Sequence, residues 1–191
     1  MSPRITLDYL TAQTAQKIVT QAQNTSSRKD IENLITQALG VLQAQGVYAL
    51  YLYLFSKAEG KNPASWALIY LWNALRNTQV PIPLPEKVKI APIQESPEVL
   101  FCNPQAVSKI RDEAKKQQEE ARCRESVSNN RAFWGLAGNS EIQLDQLRPA
   151  REIILEGIRE LTTDLDTLLL VRDLYEQTLI YARYHAKALG G

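Results

Sequence analysis

The 191 residues suit one domain, and an apolar share of 45% is enough to build a core. Twenty-two basic residues against 21 acidic ones leave a net charge of +1, which excludes a molecule drawn to nucleic acid or anionic membrane by its overall charge; any such attraction has to be local. Only two cysteines are present, Cys102 and Cys123. That number excludes a disulfide-dense scaffold, and their spacing excludes a zinc site, so both are expected as reduced thiols.

The chain opens without an apolar leader, and its longest apolar run, 47–55, is far short of the ~20 residues that cross a bilayer. The expectation is a cytoplasmic protein with no membrane partner.

Helical periodicity governs most of the sequence. The first predicted helix covers 7–23, with Leu7, Leu10, Thr14, Ile18 and Ala22 near one face and Thr6 or Asp8 as its cap. Ser26 or Ser27 caps a second helix over 28–45, whose stripe is Ile31, Leu34, Ile35, Ala38, Leu39 and Leu42. Gly46 falls where a tight helix–helix turn belongs. Residues 47–58 are apolar nearly all round and read as the central buried helix. Asn62-Pro63, a cap followed by proline at the first helical position, opens a fourth helix over 63–76.

From 79 to 97 five prolines forbid a helix and predict an extended connection along a surface. Asn103-Pro104 then opens a charged helix over 105–125, with opposite charges at three- and four-residue spacing; it reads as a solvent- or protein-facing arm. A loop over 126–139, built on Phe133-Trp134, precedes two final helices. One covers 149–161, with Ile153, Ile154, Ile158 and Leu161 inside. The other follows a cap at Thr163-Asp164 and runs to about 189, with Leu165, Leu168, Leu169, Leu174, Leu179, Ile180 and Ala182 inside.

The fold class is therefore all-α: a bundle of about six helices with a proline-rich connection and a charged helical arm. It divides into an N-terminal helical part (1–79), an insertion (80–147) and the C-terminal helices that complete the bundle (148–191). The basic excess sits in the first part, with seven basic and four acidic side chains against nine and ten, then six and seven.

No arrangement for chemistry is recognisable. His185 is the one histidine, and no Cys-x-x-Cys, His-Glu-x-x-His, glycine-rich phosphate loop or nucleophile elbow occurs. No enzyme, metal or cofactor is expected. The aromatic cluster Tyr48, Tyr51, Tyr53, Phe55, Trp66, Tyr70 and Trp72 reads mainly as core rather than as a base-stacking platform. The basic residues are more informative. Lys57 and Lys61 flank the turn between the third and fourth helices, Arg28 and Lys29 open the second, Lys17 projects from the first, and Arg76 ends the fourth. Together they suit a shallow face that holds phosphates without reading bases.

Four stretches carry a resemblance to a known family. They are Ala15-Gln16-Lys17 before a polar break; Leu39-Gly40 through Gly46-Val-Tyr-Ala-Leu-Tyr-Leu-Tyr-Leu-Phe-Ser56-Lys57; Ala64-Ser-Trp-Ala-Leu-Ile-Tyr-Leu-Trp-Asn-Ala-Leu75; and Tyr175-Glu-Gln-Thr-Leu-Ile-Tyr-Ala-Arg183-Tyr-His-Ala-Lys187. They resemble the small subunit of type III-B (Cmr) CRISPR effector complexes over roughly 7–78 and 150–189, with 79–147 an insertion beyond the likeness. The resemblance implies a non-catalytic helical subunit that stacks with copies of itself, bridges the large subunit and the backbone subunits, and contacts CRISPR RNA and target RNA through phosphate and sugar. It makes Lys17, Lys57, Lys61, Arg183 and Lys187 the first RNA-binding candidates, with Arg28, Lys29 and Arg76 behind them. The residues leave two other readings open: a helical adaptor binding only proteins through 79–125, and, last, an enzyme of unrecognised type.

Overall fold

The computed structural model describes residues 6–76, 82–85, 91–94, 97–107, 109–136 and 141–189. The parts of the proline-rich connection at 77–81, 86–90 and 95–96, and the closing Gly190-Gly191, lie outside them. Among the described residues the chain is all-α, with no strand. Its helices are α1 (Leu7–Gln23), α2 (Arg28–Lys57), α3 (Pro63–Ala74), two single turns α4 (Glu98–Phe101) and α5 (Pro104–Val107), α6 (Glu113–Asn129), α7 (Ala150–Leu161) and α8 (Leu165–Ala188), with a 3-10 turn at Leu144–Gln146.

The element labelled α2 is two helical arms, 28–45 and 47–57, that meet at a kink. Gly46 takes φ 84° and ψ −174°, backbone that only glycine adopts without strain. A straight helix of 30 residues would be about 45 Å long. Yet the Tyr53 hydroxyl donates to Gln37 Oε1 at 2.7 Å, and Thr25, before the helix, donates to the carbonyl of Lys61, after it, at 2.6 Å. The chain therefore reverses at Gly46, and 28–45 and 47–57 lie side by side, as the glycine's position in the sequence predicts. Neither arm reaches the ~20 residues of a membrane span, although the whole element is long and apolar enough by composition.

Helix α8 packs along the first arm. Gln43 donates to Glu176 at 2.7 Å, and Lys187 pairs with Glu32 at 3.6 Å, so the two run antiparallel. Where the arms meet α8, the buried hydroxyls of Tyr51 and Tyr175 bond to each other at 2.9 Å, with ring centres 6.0 Å apart. The inner stripe of α8 is Thr167, Val171, Leu174, Tyr175, Thr178, Leu179, Ala182 and Ala186. This corrects the expected inner set. Leu165 and Leu169 are 66% and 46% exposed, because Thr167 and Val171 take the inward positions of the 3.6-residue period there, while Leu174, Leu179 and Ala182 are buried as expected. Both threonines are satisfied: Thr178 donates to Leu174 O, one turn back, at 2.7 Å, and Thr167 to Pro83 O in the proline-rich connection at 2.5 Å.

The central helix is α3, not 47–58. Every residue of α3 is buried except the half-buried Asn73, whereas Tyr48 and Leu52 of the second arm are each 38% exposed. Asn73 grips the proline-rich connection with both ends of its amide. It receives Ile93 N–H and donates to Ile93 O, each at 2.7 Å. Trp72 beside it donates Nε1 to Ala91 O at 2.8 Å, meets Phe133 edge-on at 6.3 Å, and covers Gly157 of α7. A Cβ on Gly157 would lie 2.8 Å from the Trp72 ring, so only glycine admits this packing.

The charged helix also differs from its expected bounds. Asn103-Pro104 opens only the single turn α5. The long helix starts later, where Asp112 caps it by accepting Lys115 N–H at 3.1 Å, and it continues to Asn129. Its first part is mostly exposed, while Cys123, Ser126 and Val127 enter the core. Asn130 ties that end to the connection by accepting Gln94 N–H at 2.7 Å.

Two predictions follow from this packing. Gly46→Ala puts a side chain where φ is positive and should destabilise the fold by about 1–3 kcal/mol, read as a lower urea midpoint. Tyr51→Phe strands a buried hydroxyl and should cost about 1–3 kcal/mol, while the Tyr51→Phe/Tyr175→Phe double variant should cost less than the sum of the singles. Burial pushes both tyrosine hydroxyls above their ordinary range. Their neutral forms are thus the folded forms. The stability they contribute is complete below about pH 10 and lost above it, and the double variant should lose part of that alkaline sensitivity in pH-dependent melts.

Candidate nucleic-acid interface

The reversal at Gly46 returns the end of α2 to its beginning, and this sets the positions of the basic residues. Ser27 caps α2 by accepting Asp30 N–H at 3.2 Å, which leaves Arg28 and Lys29 exposed in the first turn. Cations at a helix N-terminus oppose the helix dipole by about 0.3–1 kcal/mol each. At the other end, Asn62 joins α2 to α3. Its Nδ2 donates to Lys57 O at 2.7 Å and its Oδ1 accepts Ser65 N–H at 3.0 Å. Gly60, at φ 51°, makes the turn between them. The Thr25–Lys61 bond then holds this turn against the α1–α2 connection.

Lys187 reaches the same end of the bundle through Glu32, one turn from Arg28. Arg183 stands one turn earlier on α8, half-buried, and its Nε finds no acceptor among the described residues. Five candidates therefore gather at one end: Arg28, Lys29, Lys57, Lys61 and Lys187, with Arg183 beside them. The structure does not bring in the other two. Arg76 follows α3, about 20 Å along the helix axis from Lys61. Lys17 lies on the flank of α1, its Nζ 6.0 Å from the Tyr70 ring centre.

Acids temper the cluster. Lys61 pairs with Glu98 at 3.3 Å and Lys187 with Glu32, and in both pairs the side chains keep substantial exposure. Such pairs contribute about 0–1 kcal/mol each, so a phosphate can replace the carboxylate at small cost. The same Lys61 and Glu98 border a cleft of about 240 Å³ that is also lined by Arg122 of α6.

Arg122 was not legible as a site residue, since the charge pattern of α6 marks only an exposed helix. Two exposed rings were also missed. Tyr184 is 65% exposed between Arg183 and His185, and Tyr9 is 51% exposed on α1. A tyrosine on the polar face of an amphipathic helix is the signal that would have found them. The aromatic cluster is mostly core: Tyr51, Trp66, Tyr70 and Trp72 are buried, Tyr53 and Phe55 half-buried, and Tyr48 exposed. Among the described residues no three of His, Cys, Asp and Glu converge as metal ligands.

No family model, no curated protein and no solved structure matches the chain.

The Lys61–Glu98 pair supplies a direct test of the local field. Glu98→Gln should release Lys61 and tighten binding of single-stranded RNA at low salt up to about fivefold, measured by fluorescence anisotropy.

Proposed function

We propose that this chain is a non-catalytic small structural subunit of a type III CRISPR RNA-guided interference complex. It stacks with copies of itself, bridges the large subunit and the backbone subunits, and holds guide and target RNA by their backbone while other subunits cleave. One observation carries the reading. Cations from three separate segments, the start of α2, the α2–α3 turn and the end of α8, share one end of the bundle, and two of these segments hold the stretches that resemble the family. The chemistry required is modest. A backbone phosphate at Arg28 and Lys29 turns an unfavourable cation–dipole arrangement into a favourable one. Lys57, Lys61 and Lys187 add mobile point charges that tolerate any base sequence. Sequence would be read by pairing to the guide, as in other RNA-guided systems, so the subunit needs no base-specific pocket.

The test is purification of the tagged chain from its host at low salt. CRISPR RNA and further effector subunits should accompany it. Protein partners without RNA would replace this reading with that of a protein-only adaptor, and the absence of any assembly would end both. In the assembled complex, Lys57→Glu/Lys61→Glu should weaken RNA retention and flatten the dependence of log affinity on log salt by roughly 1–2.

A further inference from the structure

Two parts of the chain wall the cleft of about 240 Å³ beside Lys61. The α2–α3 turn and the start of α4 supply Lys61 and Glu98, and α6 supplies Arg122, Glu125, Ser126 and Asn129. The four α6 residues follow one another at three- and four-residue steps, the spacing that stacks side chains on one stripe of a helix. Lys61, Arg122, Glu125 and Asn129 are exposed and form the rim. Ser126 is 5% exposed and forms the floor, and its hydroxyl has no hydrogen-bond partner among the described residues. The buried hydroxyls of Tyr51, Tyr175, Thr167 and Thr178 are all bonded to a neighbour. A buried hydroxyl without a partner is costly, and alanine would fill the same place without that cost. The fold itself gives the Ser126 hydroxyl no role.

We propose that this cleft is a ribose–phosphate subsite: Lys61 and Arg122 hold a backbone phosphate, Glu125 and Ser126 hold the adjacent 2′-hydroxyl, and the chain thereby prefers RNA to DNA. The inference rests on the RNA role proposed above and names the sugar that role selects. Two cations set among two carboxylates, a hydroxyl and an amide do not complement a bare anion. They complement a ligand that carries a hydrogen-bond donor next to a negative charge. The ribose 2′-hydroxyl is such a donor, and deoxyribose lacks it. Glu125 accepts the 2′-hydroxyl proton, and Ser126, after rotation about χ1, donates to the 2′-oxygen. Both cations are open to exchange. Lys61 pairs with Glu98 at 3.3 Å and Arg122 with Glu119 at 3.5 Å, and partly exposed pairs of this kind give way to phosphate at small cost. Helix polarity agrees with this division. Glu125, Ser126 and Asn129 lie at the C-terminal end of α6, where the dipole is negative and favours a donor. Arg122 stands about 6 Å further from that end than Ser126, where a phosphate is better tolerated. Helix α6 lies in the insertion, so the insertion completes a contact that the α2–α3 turn begins.

The experiment titrates the full-length chain, at low salt, into single-stranded oligonucleotides of one sequence without U or T, made as RNA, as DNA and as 2′-O-methyl RNA. Fluorescence anisotropy reads each Kd. RNA should bind about 3–10-fold more tightly than either of the others. Ser126→Ala and Glu125→Ala should each bring that ratio toward one. Both variants should fold, since the Ser126 hydroxyl has no partner in the fold and Glu125 is exposed. Arg122→Ala should instead weaken all three oligonucleotides alike and keep the ratio. Equal wild-type affinity for RNA and DNA overturns the subsite and leaves the RNA-holding role standing. So does an RNA preference that survives Ser126→Ala or Glu125→Ala, or 2′-O-methyl RNA that binds as tightly as RNA. Failure of all three to bind overturns the RNA role itself, and the subsite with it. The wild-type ratio needs no variant to fold.

Discussion

A single backbone reversal at Gly46 organises the molecule. Helix formation favours running on, since each added residue gains a hydrogen bond once the nucleus exists. Residues 47–57 have good helical propensity and would extend the 28–45 helix into a rod. The glycine dihedrals instead send the second arm back beside the first. That choice trades a little backbone regularity for the burial of Leu50, Tyr51 and Leu54 against the rest of the core. It also places the end of α2 next to its start, so that Lys57 and Lys61 lie at the same end of the bundle as Arg28 and Lys29. Core and candidate surface thus depend on the same residue.

The proline-rich connection is fastened by polar contacts as much as by apolar ones. A proline-rich chain cannot pair its backbone in a helix or sheet, and its buried carbonyl and amide groups need partners from elsewhere. Asn73 and Trp72 supply them from a central helix that is otherwise mostly apolar. Asn130 does the same for Gln94. The segment that looks most detachable by composition is therefore joined to the core through Ile93, Val99, Val127 and Phe133.

The electrostatic character of the molecule follows from placement rather than from total charge. Partly exposed lysines paired with glutamates stabilise the fold little, because water screens the pair and two flexible side chains must be ordered. The same weakness leaves Lys61 and Lys187 able to exchange a carboxylate for a phosphate. A deeply buried ion pair would not offer this, since breaking it leaves a desolvated charge.

The sequence by itself determined the fold class, most helix positions and the turn at Gly46, because these rest on local physics: periodicity, caps, and the conformations open to glycine and proline. Ser27, Asn62 and Gly46 all act as their positions imply. Tertiary structure decided the rest. It chose α3 over 47–58 as the central helix, since several apolar helices compete for the interior and only packing selects among them. It turned Leu165 and Leu169 outward in favour of Thr167 and Val171, because the rotation of α8 is set by its whole inner stripe, through Leu174, Tyr175 and Leu179, and not by the first turn alone. It separated Arg76 from the other cations and brought Arg122 to the cleft that Lys61 borders. Such long-range neighbours are set by how the chain closes on itself, and the one-dimensional pattern does not encode that closure locally.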